Sequence, residues 1–260
     1  MAPPVPGLET FESSPSLSFL LEHPSGRKLV WDLGIRKDFH NYSKAIADYI
    51  PTTNYDIQVT KNVVDILEEN GITGSEIEAV IWSHWHWDHI GDPASFPPST
   101  DLIVGQGFSE AMLPGYPANP ASPIRESDYS GRRLREIDFK GVDGVIRIGQ
   151  FPAFDYFGDG SFYLLDSPGH ASFRGRETSD TLYDMTFGHD IPLATKTMQQ
   201  LQELDCAENV FVIIAHDSTV RDGVAHFPQS LNDWQAKGWG KQLKWAFLRD
   251  LEPYFRSKEL

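Results

Sequence analysis

The sequence predicts an α/β protein in which strands and helices alternate, the order that two mixed β-sheets flanked by helices would need. Three observations carry this expectation. Two short apolar runs, Leu17 to Leu21 and Lys28 to Asp32, are joined by His23-Pro24-Ser25-Gly26 and read as an opening hairpin. Lys61 to Glu69 has helical spacing, with Val63, Val64 and Leu67 on one face and a stop at Asn70-Gly71. Three further strand-like runs, Ala79 to Trp82, Ser161 to Asp166 and Val210 to Ala215, each lead within a few residues to a histidine. Ser75 to Glu78 is expected to form a short turn before the first of them.

That first run delivers His84-Trp85-His86-Trp87-Asp88-His89, four potential metal ligands within six residues. On an extended segment His84 and His86 point to one side, Asp88 joins them if the chain stays extended, and His89 turns away. One stretch can thus face two adjacent ions, His84 and His86 toward the first, Asp88 and His89 toward the second. As structural residues, three imidazoles and a carboxylate would each need a separate partner to offset desolvation, whereas a metal satisfies all of them.

The string resembles the H-x-H-x-D-H signature of the metallo-β-lactamase fold hydrolases. Ser167-Pro168-Gly169-His170 resembles the Gly-His pair that carries the family's third histidine, and Val210 to Ala215 followed by His216-Asp217 resembles the strand that ends in its last one. The resemblance covers roughly Leu17 to His216 and is nearest the lactonase and glyoxalase-like branch. It implies a four-layer αββα sandwich in a single domain, with His170 and His216 completing the ligand set. It also implies a bridging aspartate, often in a Gly-Asp pair, and no such pair lies between His170 and His216. Leu182 to Asp190 reads as a strand ending in Gly188-His189-Asp190, which makes Asp190 the expected bridge. Asp184 and Asp180 are rivals, and Asp180 has Tyr183 three residues on, a spacing similar to the aspartate and tyrosine of some lactonases. Alternatively, the segment after His170 replaces a longer one and the bridge is lost.

Imidazole and carboxylate suit zinc, and a catalytic zinc keeps an open position for water. Zinc lowers the pKa of bound water from about 15.7 to about 7, and a second ion about 3.5–4 Å away can stabilise the oxygen of a tetrahedral intermediate. The implied function is therefore hydrolysis by a zinc-bound hydroxide, with two zinc ions expected and manganese, iron or cobalt as alternatives. Asp88 is expected as a ligand and as the catalytic acid/base. His86 argues against the diiron redox members, which carry glutamate there. A lactone or ester of a small apolar metabolite is the first substrate class. A carrier-bound or glutathione-like thioester comes second, with Lys237, Lys241 and Lys244 as candidates for the basic pocket that glutathione would need. A reading of another class is a metal-binding scaffold that keeps His84, His86 and His170 but lacks the second site.

At 260 residues and 40% hydrophobic content, the chain can bury one sizeable core. With 37 acidic against 22 basic residues its net charge is −15, which argues against a nucleic-acid partner and for a small-molecule substrate. Arg132, Arg133 and Arg135 form the densest basic cluster, but Glu126, Asp128, Glu136 and Asp138 flank it, and a solvated helix face is expected. Cys206 is the only cysteine and reads as structural. The proline-rich Met1 to Gly7 does not resemble a signal peptide, and no run approaches the ~20 apolar residues of a membrane span, so a cytoplasmic, membrane-free protein is expected. Ser257 to Leu260 resembles two targeting tetrapeptides without matching either.

Residues 105–150 carry Pro114, Pro117, Pro120 and Pro123, too much proline for a continuous helix. Two readings stand there: a cover loop offering Met112, Tyr116 and Tyr129 to an apolar substrate, or a surface insertion. Trp234, Trp239, Trp245 and Phe247 are expected on a C-terminal helix that packs its apolar side on the body. Asp32, in Trp31-Asp32-Leu33-Gly34, is either a hydrogen-bond partner of a ligand histidine or a plain turn aspartate.

Overall fold

The computed structural model describes residues 13–139, 146–169 and 190–252. The chain forms two compact units, Ser16–Val145 with Phe154–Tyr163, and Met1–Pro15 with Ile146–Ala153 and Leu164–Leu260.

In the larger unit β1 (Phe19–Glu22) and β2 (Lys28–Trp31) pair antiparallel as the predicted hairpin. Gly26, at φ +88°, makes the turn that a side chain would strain. Two helices follow, α1 (Lys44–Tyr49) and α2 (Val63–Glu69), and they supply the crossover that a parallel strand requires. Helix α2 buries Val64 and Leu67, and the Asp65 carboxylate accepts the Asn62 amide at 2.8 Å, so the helix starts two residues later than expected. A 3₁₀ turn at Gly74–Glu76 leads into β3 (Ile77–Ile81), and the ligand run then passes through a helical turn, α3 (Trp87–Ile90). Next come β4 (Asp101–Gly105), α4 (Phe108–Met112), α5 (Glu126–Tyr129) and β5 (Leu134–Ile137).

The five strands form one sheet in the order β1-β2-β3-β4-β5, with every pair after the hairpin parallel. Leu29, Ala79, Val80, Leu102 and Ile103 are almost wholly buried, as expected of central parallel strands covered on both faces. The register Trp31↔Ile81↔Ile103 brings the carboxyl ends of β2 and β3 side by side, so the chain leaving β2 meets the ligand run.

Two expectations change here. Arg135 lies within β5 and Arg132 in the turn before it, donating to the Thr100 and Phe96 carbonyls, so this cluster borders a strand rather than lying on a helix. The stretch from residue 105 on is also more regular than a loop, because it contains α4, α5 and β5. Tyr129 is used structurally, its hydroxyl accepting the Gly115 amide at 2.9 Å, and Tyr116 exchanges backbone hydrogen bonds with Ile124 and Glu126.

In the second sheet, β6 (Ile146–Ile148), β7 (Phe151–Asp155) and β8 (Tyr163–Leu165) follow the order β6-β7-β8. The smaller unit continues with α6 (Ile191–Asp205), which buries Ala194 and Met198, and then α7 (Ser218–Gly223), α8 (Trp234–Lys237) and α9 (Trp239–Leu243). Trp234 packs against Phe211, ring centroids 5.5 Å apart, whereas Trp245 is exposed. No strand forms over 210–215 among the described residues. An apolar, β-branched run favours extended backbone, but a strand also needs a paired neighbour, and no ladder among the described residues includes this run. Among the described residues no helix is long and apolar enough to cross a membrane.

Candidate metal centre

The ligand run does not stay extended. After β3 the chain remains irregular through His86, whose φ −67° and ψ 146° begin the α3 turn, so Asp88 and His89 project from helical backbone. This turn draws the imidazoles together. The His84 ring lies 4.5 Å from His86 and 4.2 Å from His89, centroid to centroid, and Asp88 Oδ2 is 3.7 Å from His89 Nε2. His89 is buried, while His84, His86 and Asp88 are partly exposed.

Asp32 organises the run. It is 3% exposed, and its Oδ1 accepts the Ser83 amide at 2.7 Å. Its Oδ2 accepts the Ser83 hydroxyl at 2.7 Å and lies 2.8 Å from His89 Nδ1. A carboxylate oxygen only accepts, so His89 Nδ1 carries the hydrogen and Nε2 keeps the lone pair. The same logic reaches His84. The Ser83 hydroxyl uses its hydrogen to bond Asp32, so His84 Nδ1, 3.0 Å from Ser83 Oγ, donates to that oxygen and again leaves the lone pair on Nε2. Burial lowers the His89 pKa, but the hydrogen bond and charge of Asp32, with Asp88 behind them, outweigh it and the net shift is upward. Asp32 is therefore a partner of the ligand run. It adopts φ +53°, a conformation in which aspartate is among the more tolerated side chains.

Backbone bonds strap the turn in place. Leu33 N donates to His89 O at 2.8 Å and Gly91 N to Gly34 O at 2.9 Å. Gly91 is required, because at φ +49° an added Cβ would fall 2.3 Å from Leu33 Cβ. Trp82 Nε1 donates to Ile90 O at 3.0 Å and the Tyr42 hydroxyl to Trp87 O at 2.6 Å. Tyr42, which also accepts the Arg36 amide, belongs to a cluster in which buried Arg36 reaches the partly exposed Asp38 and Asp92, with buried Asp128 nearby. Arg36 holds Asp38 down to about 2, whereas burial pushes Asp128 up to about 7. Sequence reasoning missed Ser83 and Tyr42. A hydroxyl directly before His84 was a usable signal, but nothing in the sequence around Tyr42 points to Trp87.

The smaller unit holds the other expected residues. His216, at φ +68°, has Nδ1 3.0 Å from the Pro15 carbonyl, so Nδ1 donates and Nε2 keeps the lone pair, as in His84 and His89. Asp217 caps α7 by accepting the Thr219 and Val220 amides. Asp190 is exposed and caps α6, its Oδ1 accepting the Leu193 amide at 2.9 Å. His170, Asp180 and Asp184 lie outside the described residues. Gly169, just before His170, has φ +102° and would place a Cβ 2.4 Å from Ala194 N, so only glycine fits there. Lys237 pairs with Asp233, and Lys244 with Asp205, so neither is an idle cation.

Clustered imidazoles with Nε2 lone pairs, a carboxylate beside them and a buried carboxylate fixing the Nδ1 hydrogens form a donor set that fits a divalent metal such as zinc.

Comparison with known proteins identifies the family and the fold. Residues 13–177 match the sequence model of the Metallo-beta-lactamase superfamily. Cytochrome P450 monooxygenase mpaDE' of Penicillium brevicompactum is 36% identical across 96% of the chain, which spans only about a third, 35%, of that relative's length. The 301 aligned positions exceed the 260 residues of the chain, so the relative has residues inside the aligned stretch that this chain lacks. Gamma-lactamase FDB1 of Fusarium pseudograminearum is 34% identical over 96% of the chain and 78% of its own length. The fold matches that of a mutant AiiA from B. thuringiensis with N-decanoyl-L-homoserine bound at its active site, at TM-score 0.57 and 21% identity over 83% of this chain and 86% of that one. The α/β fold expected from the sequence is thus that of this solved structure, and the chain belongs to the metallo-β-lactamase superfamily.

Proposed function

We propose that the chain hydrolyses a small cyclic carbonyl compound, a lactone first, with divalent metal, zinc foremost, held by His84, His86, Asp88 and His89. His170, His216 and Asp190 are the further ligands that the sequence pattern implies. The observation that carries this reading is the Asp32 arrangement, which turns the Nε2 lone pairs of His84 and His89 to the ligand position. When bound, the metal supplies Lewis acidity and a water acidified toward neutral pH. Asp32 keeps the two imidazoles in one tautomer, and Asp88, beside His89, is the carboxylate available to take up a proton and return it to the leaving oxygen. The net charge of −15 disfavours polyanionic substrates. The γ-lactamase name of FDB1 supports testing lactams beside lactones, since both present a ring carbonyl.

A second reading, a scaffold lacking the second metal, draws support from the residues that the chain lacks against mpaDE'. Opening of γ-butyrolactone, followed by base uptake at constant pH, tests the first. Turnover is expected to vanish on chelation and in His86→Ala, and to return to the parent protein with zinc. Turnover that survives both treatments would remove the metallohydrolase reading.

A further inference from the structure

Beside His84 the larger unit contains a cavity of about 240 Å³. Trp82, Trp85, Phe108 and Met112 give it apolar walls, and Ser83 and His84 form its side toward the ligand run. No Asp, Glu, Lys or Arg among the described residues lines it. Gly105 and Gly107 lie in its wall, and a Cβ built at either would enter open space, with nothing within 4 Å.

Part of the wall is held by its own contacts. Trp82 is 3% exposed, donates its indole N–H to Ile90 O, and meets the Phe108 ring edge-on at 5.9 Å. The Glu136 carboxylate accepts the amides of Gly107 at 2.9 Å and Ser109 at 2.6 Å, which pins the start of α4 to β5. Aromatic faces and a thioether favour a flat, uncharged ring over a polar or charged group. His84 belongs both to the wall and to the ligand run, so a ring seated here lies next to the reacting centre.

We propose that this cavity seats an aryl ring of the substrate, carried next to the carbonyl that is hydrolysed. The assignment of the ring to the substrate rests on the hydrolase reading above, whereas the cavity's affinity for an aryl ring does not.

Gly105→Val is the informative variant. Gly105 ends β4 outside the left-handed region, and valine suits a strand, so the added side chain narrows the cavity at little conformational cost. Indole, a flat ring without a carbonyl, serves as the binding probe in saturation-transfer NMR. The parent is expected to bind indole, and Gly105→Val to bind it at least about 10-fold more weakly. The kcat/KM ratio of phthalide, an aryl-fused lactone, over γ-butyrolactone is expected to fall by a similar factor. If thermal melting shows that Gly105→Val does not fold, Ala111→Leu narrows the same cavity from α4. No indole binding by the parent, or equal binding by parent and folded variant, overturns the cavity assignment. A reduced affinity with an unchanged phthalide ratio overturns the substrate role alone. If the parent opens neither lactone, the hydrolase reading fails for these substrates and indole binding still decides the cavity.

Discussion

In the larger unit a single buried carboxylate, Asp32, orients both His84 and His89, whereas in the smaller unit a neutral carbonyl, Pro15 O, orients His216. Both devices put the hydrogen on Nδ1 and the lone pair on Nε2. They differ in charge. Asp32 adds a negative charge that raises the basicity of His89, and the α3 turn is held by bonds from Leu33, Gly91, Trp82 and Tyr42. The contrast teaches that the arrangement of a dense His/Asp motif depends on residues distant from it in the sequence, and that these should rank among the most sensitive positions.

The largest effect is expected at Asp32. In Asp32→Asn one oxygen becomes an amide that points a donor at the Ser83 or His89 donor, and zinc affinity should fall by about 10–100-fold. Competition with a chelator measures this, and an unchanged affinity would show that the run orients itself. Gly91→Ala comes next. The clash with Leu33 and the φ of +49° should lower stability by about 2–3 kcal/mol, seen as a lower urea midpoint. A neutral result would mean that the strap is slack.

A pH effect distinguishes the cluster behind Tyr42. Burial raises the Asp128 carboxyl from its ordinary 3.8 to about 7, so between those values the folded chain holds a proton that the unfolded chain has lost. Its contribution is fully present below about pH 4 and is lost as pH rises through about 7. Asp128→Asn, which keeps an acceptor for the Arg125 amide, should flatten the stability profile over that window by up to about 1 kcal/mol per pH unit. Denaturation at several pH values checks it, and parallel profiles would contradict the assignment. The smallest effect on stability is expected from Asp190→Asn, because asparagine caps α6 almost as well as aspartate. Its metal content is a different matter: if Asp190 bridges two ions, bound zinc falls from two to one with little change in melting temperature.

How much could be read in advance depends on how local each cause is. The clustering of His84, His86, Asp88 and His89 was legible because close spacing at a strand end is a property of neighbouring residues. The hairpin followed from its turn residues, and α2 from the spacing of Val63, Val64 and Leu67 and the stop at Asn70-Gly71. The bend at His86 was not legible, because Gly34, Leu33 and Tyr42 impose it from elsewhere in the chain. Val210 to Ala215 was read as a strand from its β-branched residues, yet pairing with a neighbour decides a strand. Arg132 and Arg135 were read as a solvated face, but Arg132 reaches the carbonyls of Thr100 and Phe96, which no local pattern announces.

Elemental analysis of zinc per chain, on the parent and on His86→Ala purified side by side, tests the central claim most directly. The account predicts bound zinc in the parent, lower zinc content in His86→Ala, and loss of γ-butyrolactone opening with it. Equal zinc in both proteins, or none in the parent after equilibration with excess zinc, would contradict it.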